Sequence, residues 1–175
     1  MSVPVIGLSG SPNAASRSRT LLELALAALE RQGAGASQLI DLAKLPADAL
    51  LGRRPEAAVG DAVQSVLDAA IVVVSTPIYR ATYSGLLKVF FDLLPQDALA
   101  RKVAIPIATG GGPAHLLAVD HGLRPLLASV GALVVATGIY GTDAQIRGGL
   151  PEPALIERID RAAIEAATLA SGVTI

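Results

Sequence analysis

The chain has 175 residues, 52% hydrophobic and 17% charged, with net charge −1; this excludes a disordered chain and gives enough length for one domain, residues 1–175, with its own core. With no cysteine there is no disulfide and no thiolate nucleophile, and His115 and His121 alone make no zinc or other metal site. No basic cluster points to nucleic acid, the apolar runs are too short and too broken by Gly and Pro to cross a membrane, and no basic leader with a small-residue cleavage site precedes the first apolar run, so a cytoplasmic protein is expected.

Apolar runs alternate with helical patterns from the start. Residues 3–9 read as a first strand. Leu21, Leu22, Ala25, Ala28 and Leu29 recur at helical spacing and predict a helix over 18–31, with Ser16 or Ser18 as its cap and Gly33 and Gly35 past its end. A short second strand follows at 37–41. Residues 45–60, with Pro46, Pro55 and two glycines, read mostly as loop, and 62–69 as a helix. The Val/Ile run at 70–75 reads as a buried parallel strand. A loop leads to Tyr83, then a helix over 84–94, a fourth strand over 103–109 and a glycine turn at 110–113. A fourth helix is expected over 114–130, a fifth strand over 132–139 and a closing helix over 152–169. The alternation predicts an α/β, flavodoxin-like three-layer sandwich. Its five-stranded parallel sheet has order 2-1-3-4-5 and helices on both faces. Ligands of such sheets lie at the carboxyl ends of the strands, so the loops after strands one, three and four should converge.

These three loops carry the chemistry. The first, Ser9-Gly10-Ser11-Pro12-Asn13-Ala14-Ala15-Ser16-Arg17-Ser18, joins a strand to a helix. Such residues also build plain turns, but at a helix start they suit a phosphate. The loop has neither the Lys of a P-loop nor G-x-G-x-x-G spacing, so the single phosphate monoester of FMN fits best. The second loop, Ser75 to Gly85, holds Pro77, Tyr79 and Tyr83, two of the three tyrosines in the chain. It reads as a wall for a flat ring, with Ser84 capping the next helix. The third, Thr109 to His115, has three successive glycines that let main chain approach a ring edge. His115 fits a helix start better than a catalytic role. Lys88 and Asp92 form an i,i+4 pair. Asp120, His121 and Arg124 lie among leucines on the fourth helix, which suits a subunit contact.

Taken together, Gly10-Ser11-Pro12 with Ser16-Arg17-Ser18, Thr76-Pro77-Ile78-Tyr79 with Tyr83-Ser84-Gly85 and Leu87-Lys88, and Ala108-Thr109-Gly110-Gly111 with Ala114-His115 resemble the NAD(P)H-dependent FMN reductase family. The run from His115 to Pro125 resembles more narrowly the reductase components of two-component alkanesulfonate and methanesulfonate monooxygenase systems. The resemblance reaches from strand one to about Asp143. It implies that Ser11, Ser16, Arg17 and Ser18 hold the FMN phosphate, that Pro77, Ile78 and Tyr79 line the isoalloxazine with Ser84 close by, and that Thr109, Gly110 and Gly111 meet the ring, with His115 beside them. It implies hydride transfer from NADPH or NADH to flavin N5 with no catalytic side chain. Release of reduced FMN to a partner monooxygenase, in organosulfur assimilation, would follow, from a homodimer or homotetramer built on the helices after the second and third loops. Alkanesulfonate-type members carry an inserted Tyr, associated with a π-helical bulge, where this chain has His121. Two other readings share the fold: a quinone, azo-dye or metal-ion reductase with tightly held FMN, and a flavodoxin-like electron carrier without nicotinamide activity. The near-neutral charge weighs against the carrier.

Overall fold

The apolar runs become strands because their β-branched residues pack on both faces of a parallel sheet. In the computed structural model, which describes residues 3–172, these strands are β1 (Val5–Ser9), β2 (Ser37–Asp41), β3 (Ile71–Pro77) and β4 (Val103–Gly110). The outermost residues of the expected domain lie outside the described residues. Two short strands, β5 (Leu133–Val134) and β6 (Ile139–Thr142), both lie beside β4. The parallel order is β2-β1-β3-β4-β5, as the alternation predicted. Register brings Ser9 opposite Ser75, Ser75 opposite Ile107, and Pro77 opposite Thr109. The carboxyl ends of β1, β3 and β4 therefore lie at the same edge of the sheet, and the loops that leave them meet.

Side chains alternate across each strand. Val5, Ile71, Val73, Ile105 and Ile107 face one layer, formed by α1 (Arg17–Arg31) and α6 (Pro153–Gly172). Ile6, Leu8, Val72, Val74 and Ala104 face the other. That layer contains α2 (Ala47–Leu50), α3 (Ala57–Asp68), α4 (Gly85–Phe91) and α5 (Arg124–Ser129). Among the described residues no helix is long and apolar enough to cross a membrane.

Three expectations change. Residues 45–60 are half loop and half helix: after a 3-10 turn at Leu42–Lys44, α2 takes Ala47–Leu50 and α3 begins at Ala57. Val59, Ala62 and Val66 are buried at helical spacing, while Gly60 faces open space, so its helix-weakening effect is outweighed by packing. The fourth helix is not continuous over 114–130. A 3-10 turn at Pro113–His115 and a π-turn at Val119–Leu123 precede α5. Pro125 has no N–H for the His121 carbonyl, so the regular ladder cannot run through this point. The bulge is present with His at position 121.

The expected strand 132–139 is broken as well. Beyond Val135, whose amide still donates to Ala104 O of β4 at 3.0 Å, the main chain leaves the sheet until β6 and is held by charged side chains. The Arg124 guanidinium donates to Val135 O and Ala136 O, both at 2.6 Å. Glu165 accepts from the amides of Ala136 and Thr137, and Arg158 donates to Gly138 O at 2.6 Å. Main-chain groups that a sheet neighbour would have paired are satisfied this way. Arg124 also pairs Asp120 at 2.7 Å.

Candidate FMN site

Loop one is pinned from below. Gly10 N donates to Ser75 O at 2.8 Å, and the buried Ser84 hydroxyl donates to Gly10 O at 2.5 Å. Ser84 also caps α4 by accepting from Leu87 N, and its own amide donates to Thr76 Oγ1. Ile78 N donates to Thr109 O at 2.7 Å, which joins the second loop to the third. A few buried hydroxyls and amides therefore set the spacing of all three loops.

Above this floor lies a cavity of about 270 Å³. Of the twelve residues singled out in the sequence, nine line it: Ser11, Ser16, Arg17, Pro77, Ile78, Tyr79, Thr109, Gly110 and Gly111. The other three do not. Ser18 is fully buried and its hydroxyl pairs with that of Ser16 at 2.8 Å. Ser84 is buried under the loops, and His115 is exposed beside Gly110. Asn13, Ala15 and Asp143 also line the cavity and were not singled out. Asp143 follows β6, whose carboxyl end belongs to the same edge of the sheet; extending the convergence rule to that strand would have found it.

The start of α1 has the features of an anion site. Ser16 stands at the N-cap with extended backbone, yet its side chain makes no capping bond, and no acidic residue occupies the first turn. Free amides at a helix start carry partial positive charge and ordinarily find an Asp, Glu or hydroxyl partner. Here the first helical residue is instead Arg17, which adds positive charge where the dipole already favours an anion. Ser11 is tied locally: its hydroxyl donates to Asn13 O and accepts from Asn13 N, both at 3.2 Å, which fixes the loop's curvature. A phosphate monoester fits this end. The opposite end, with Pro77, Ile78, Tyr79 and the glycines, offers an aromatic side chain and bare main chain to a fused ring. The residues present thus fit FMN.

Gly110 also makes room within the chain itself. A Cβ there would lie 2.6 Å from the Tyr140 hydroxyl and 3.2 Å from His115 Nδ1. The missing side chain makes room for the chain's own Tyr140, which donates to Gly112 O at 2.5 Å and so shapes the third loop. Burial, and then the charge of Asp143, hold the Tyr140 phenol above its ordinary pKa. Gly111 faces open space, as main chain beside a ligand would. Gly122, inside the π-turn, lets that turn approach the second loop: a Cβ would meet Thr82 Oγ1 at 2.6 Å.

Comparison with known proteins decides the family. The model of the NADPH-dependent FMN reductase family matches residues 3–145. The chain belongs to that family. A protein of Pseudomonas putida named FMN reductase (NADPH) is 41% identical to this FMN reductase over 143 residues, 81% of this chain and 72% of the relative. Another P. putida protein, named NADH-dependent FMN reductase SfnE, is 37% identical over 97% of this chain and 94% of its own. The apo crystal structure of an NADH:FMN oxidoreductase (EMOB) superposes with TM-score 0.85 at 37% identity, covering 99% of this chain and 91% of that one. The chain is accordingly an NAD(P)H-dependent FMN reductase, with FMN and NADPH or NADH as its cofactors and substrates.

Proposed function

We propose that this reductase takes FMN through its phosphate at the start of α1, reduces it with NAD(P)H, and releases it to a partner flavin-dependent monooxygenase in organosulfur assimilation. The observation that carries the reading is the open, two-ended cavity: an anion end at Ser11, Ser16 and Arg17, and a ring end at Pro77, Ile78, Tyr79, Thr109, Gly110 and Gly111. FMN supplies the hydride chemistry, with N5 as the acceptor from the nicotinamide. The chain's part is geometry. The second loop presents Tyr79, 44% exposed, at the cavity's edge. Ser18 supports Ser16, and Ser84 braces the floor. Ligand held mostly by loop main chain and one half-exposed cation exchanges readily, which suits a flavin that cycles. The sequence resemblance around His115–Pro125 to two-component reductases supports the monooxygenase partner. In this reading residues 1–175 form one domain. They assemble as a homo-oligomer through the segment after the third loop, where Leu116 and Leu117 are 50% and 59% exposed.

The test is the initial rate of NADPH and NADH oxidation by flavin-free protein, with and without free FMN. A rate that requires FMN and saturates with it is expected. No turnover with FMN, but turnover with a quinone on FMN-loaded protein, would overturn flavin cycling.

A further inference from the structure

The anion end of the cavity contains a built-in competitor. Arg17 Nη2 lies 2.8 Å from Asp143 Oδ1, and both residues line the cavity; their side chains are 49% and 44% exposed. The pair links two distant parts of the chain, the first turn of α1 and the residue just after β6. Asp143 is held in place by its own backbone, whose amide donates to Gly110 O at 3.2 Å. Its carboxylate stands beside the only cation that lines this cavity among the described residues. As a source of stability the pair is weak, because half-exposed ion pairs contribute little. Its position matters more. A phosphate monoester is mostly dianionic at neutral pH. When it sits at the uncapped start of α1, it needs the Arg17 guanidinium and meets the Asp143 carboxylate.

We propose that Asp143 is an affinity-setting residue that competes with the flavin phosphate for Arg17 and keeps FMN exchangeable. This rests on the reading that the start of α1 takes the phosphate. Binding of FMN draws Arg17 from Asp143 toward the phosphate. On dissociation the carboxylate takes the guanidinium back, so the cation is never left unpaired in the flavin-free protein. The residual repulsion between carboxylate and phosphate weakens the complex and acts mainly on the dissociation rate. The device discriminates by charge: riboflavin, which has the same ring and no phosphate, does not feel it.

The experiment compares wild type, Asp143→Asn and Arg17→Ala by fluorescence titration with FMN and with riboflavin, and by stopped-flow dissociation of FMN. Asn keeps the size and the backbone amide while removing the charge. Asp143→Asn is expected to tighten FMN binding by about fivefold, the scale of one partly exposed charge interaction, through slower dissociation, with riboflavin binding unchanged. The difference from wild type should shrink at high salt, where exposed charges are screened. Weaker FMN binding in Asp143→Asn would overturn the proposal and make Asp143 a positioning residue for Arg17. Unchanged FMN affinity, or equal shifts for FMN and riboflavin, would also overturn it. The underlying reading fails separately: if Arg17→Ala binds FMN as wild type does, the phosphate is not at the start of α1. In all variants an unchanged thermal transition of the flavin-free protein checks that the fold is intact.

Discussion

Ser84 is 2% exposed, and one hydroxyl serves two main-chain partners: it donates to Gly10 O and accepts from Leu87 N. Gly10 and Leu87 are both buried, so deletion of the oxygen leaves a buried acceptor and a helix-start donor unpaired. Losing such a bond costs about 1–3 kcal/mol, and loss of the cap is part of that cost. Ser84→Ala should therefore lower the urea midpoint with an unchanged m-value. FMN affinity should fall with it, because Gly10 anchors the loop that carries Ser11 and Ser16. A weaker fold with wild-type FMN affinity would show that the brace holds α4 alone. Residue type made Ser84 visible in the sequence as a cap; its second bond, to a carbonyl 74 positions away, was not. Such contacts are invisible to local pattern because only the strand register brings them together.

The bulge at 135–138 depends on charge at the scale of an element. Burial alone would push the Glu165 carboxyl up, but the amides of Thr137 and Ala136 and the nearby Arg124 outweigh it and hold it below the ordinary value. A carboxyl depressed in the folded state stabilises that state when ionised. The contribution is full above the unfolded value of about 4.3 and is lost as pH falls through the lower folded value. Glu165→Gln should be less stable than wild type at neutral pH, and the gap between them should narrow as the solution is acidified. A gap that stays constant down the acid limb would mean that shape, not charge, secures the bulge. This element was legible only as apolar composition: Val134, Val135 and Ala136 read as strand, and the side chains that break the strand arrive from α5 and α6. The same holds for α3, whose buried stripe was masked by Gly60. The hairpin of β7 (Ile146–Arg147) and β8 (Leu150–Pro151) had a readable signal in its Gly148-Gly149 turn.

Sheet order and loop convergence were legible because they follow from alternation and from the handedness of parallel connections, which leave few arrangements open. The cavity inherits that legibility through its loops, and it loses it at Asp143, which comes from a strand end outside the three loops considered. For the whole molecule this arrangement has a thermodynamic consequence. The loops are joined to one another by main-chain bonds, Gly10 to Ser75 and Ile78 to Thr109, while the core lies in two layers beneath them. A ligand that binds the folded state alone stabilises it by about 2.7 kcal/mol at a hundredfold excess over Kd. For a chain of this size each kcal/mol raises Tm by roughly 2–4 °C. FMN should therefore raise Tm in a concentration-dependent way, and riboflavin should do so less, by the loss of the phosphate contacts. Hydrogen exchange locates the effect. Protection on adding FMN is expected at residues 10–17, 76–83 and 109–112, with β1, β3 and β4 already slow in the free protein. Protection confined instead to the groove between α2 and α3, around Ala49 and Val59, would place the flavin away from the carboxyl ends of the strands and refute the site.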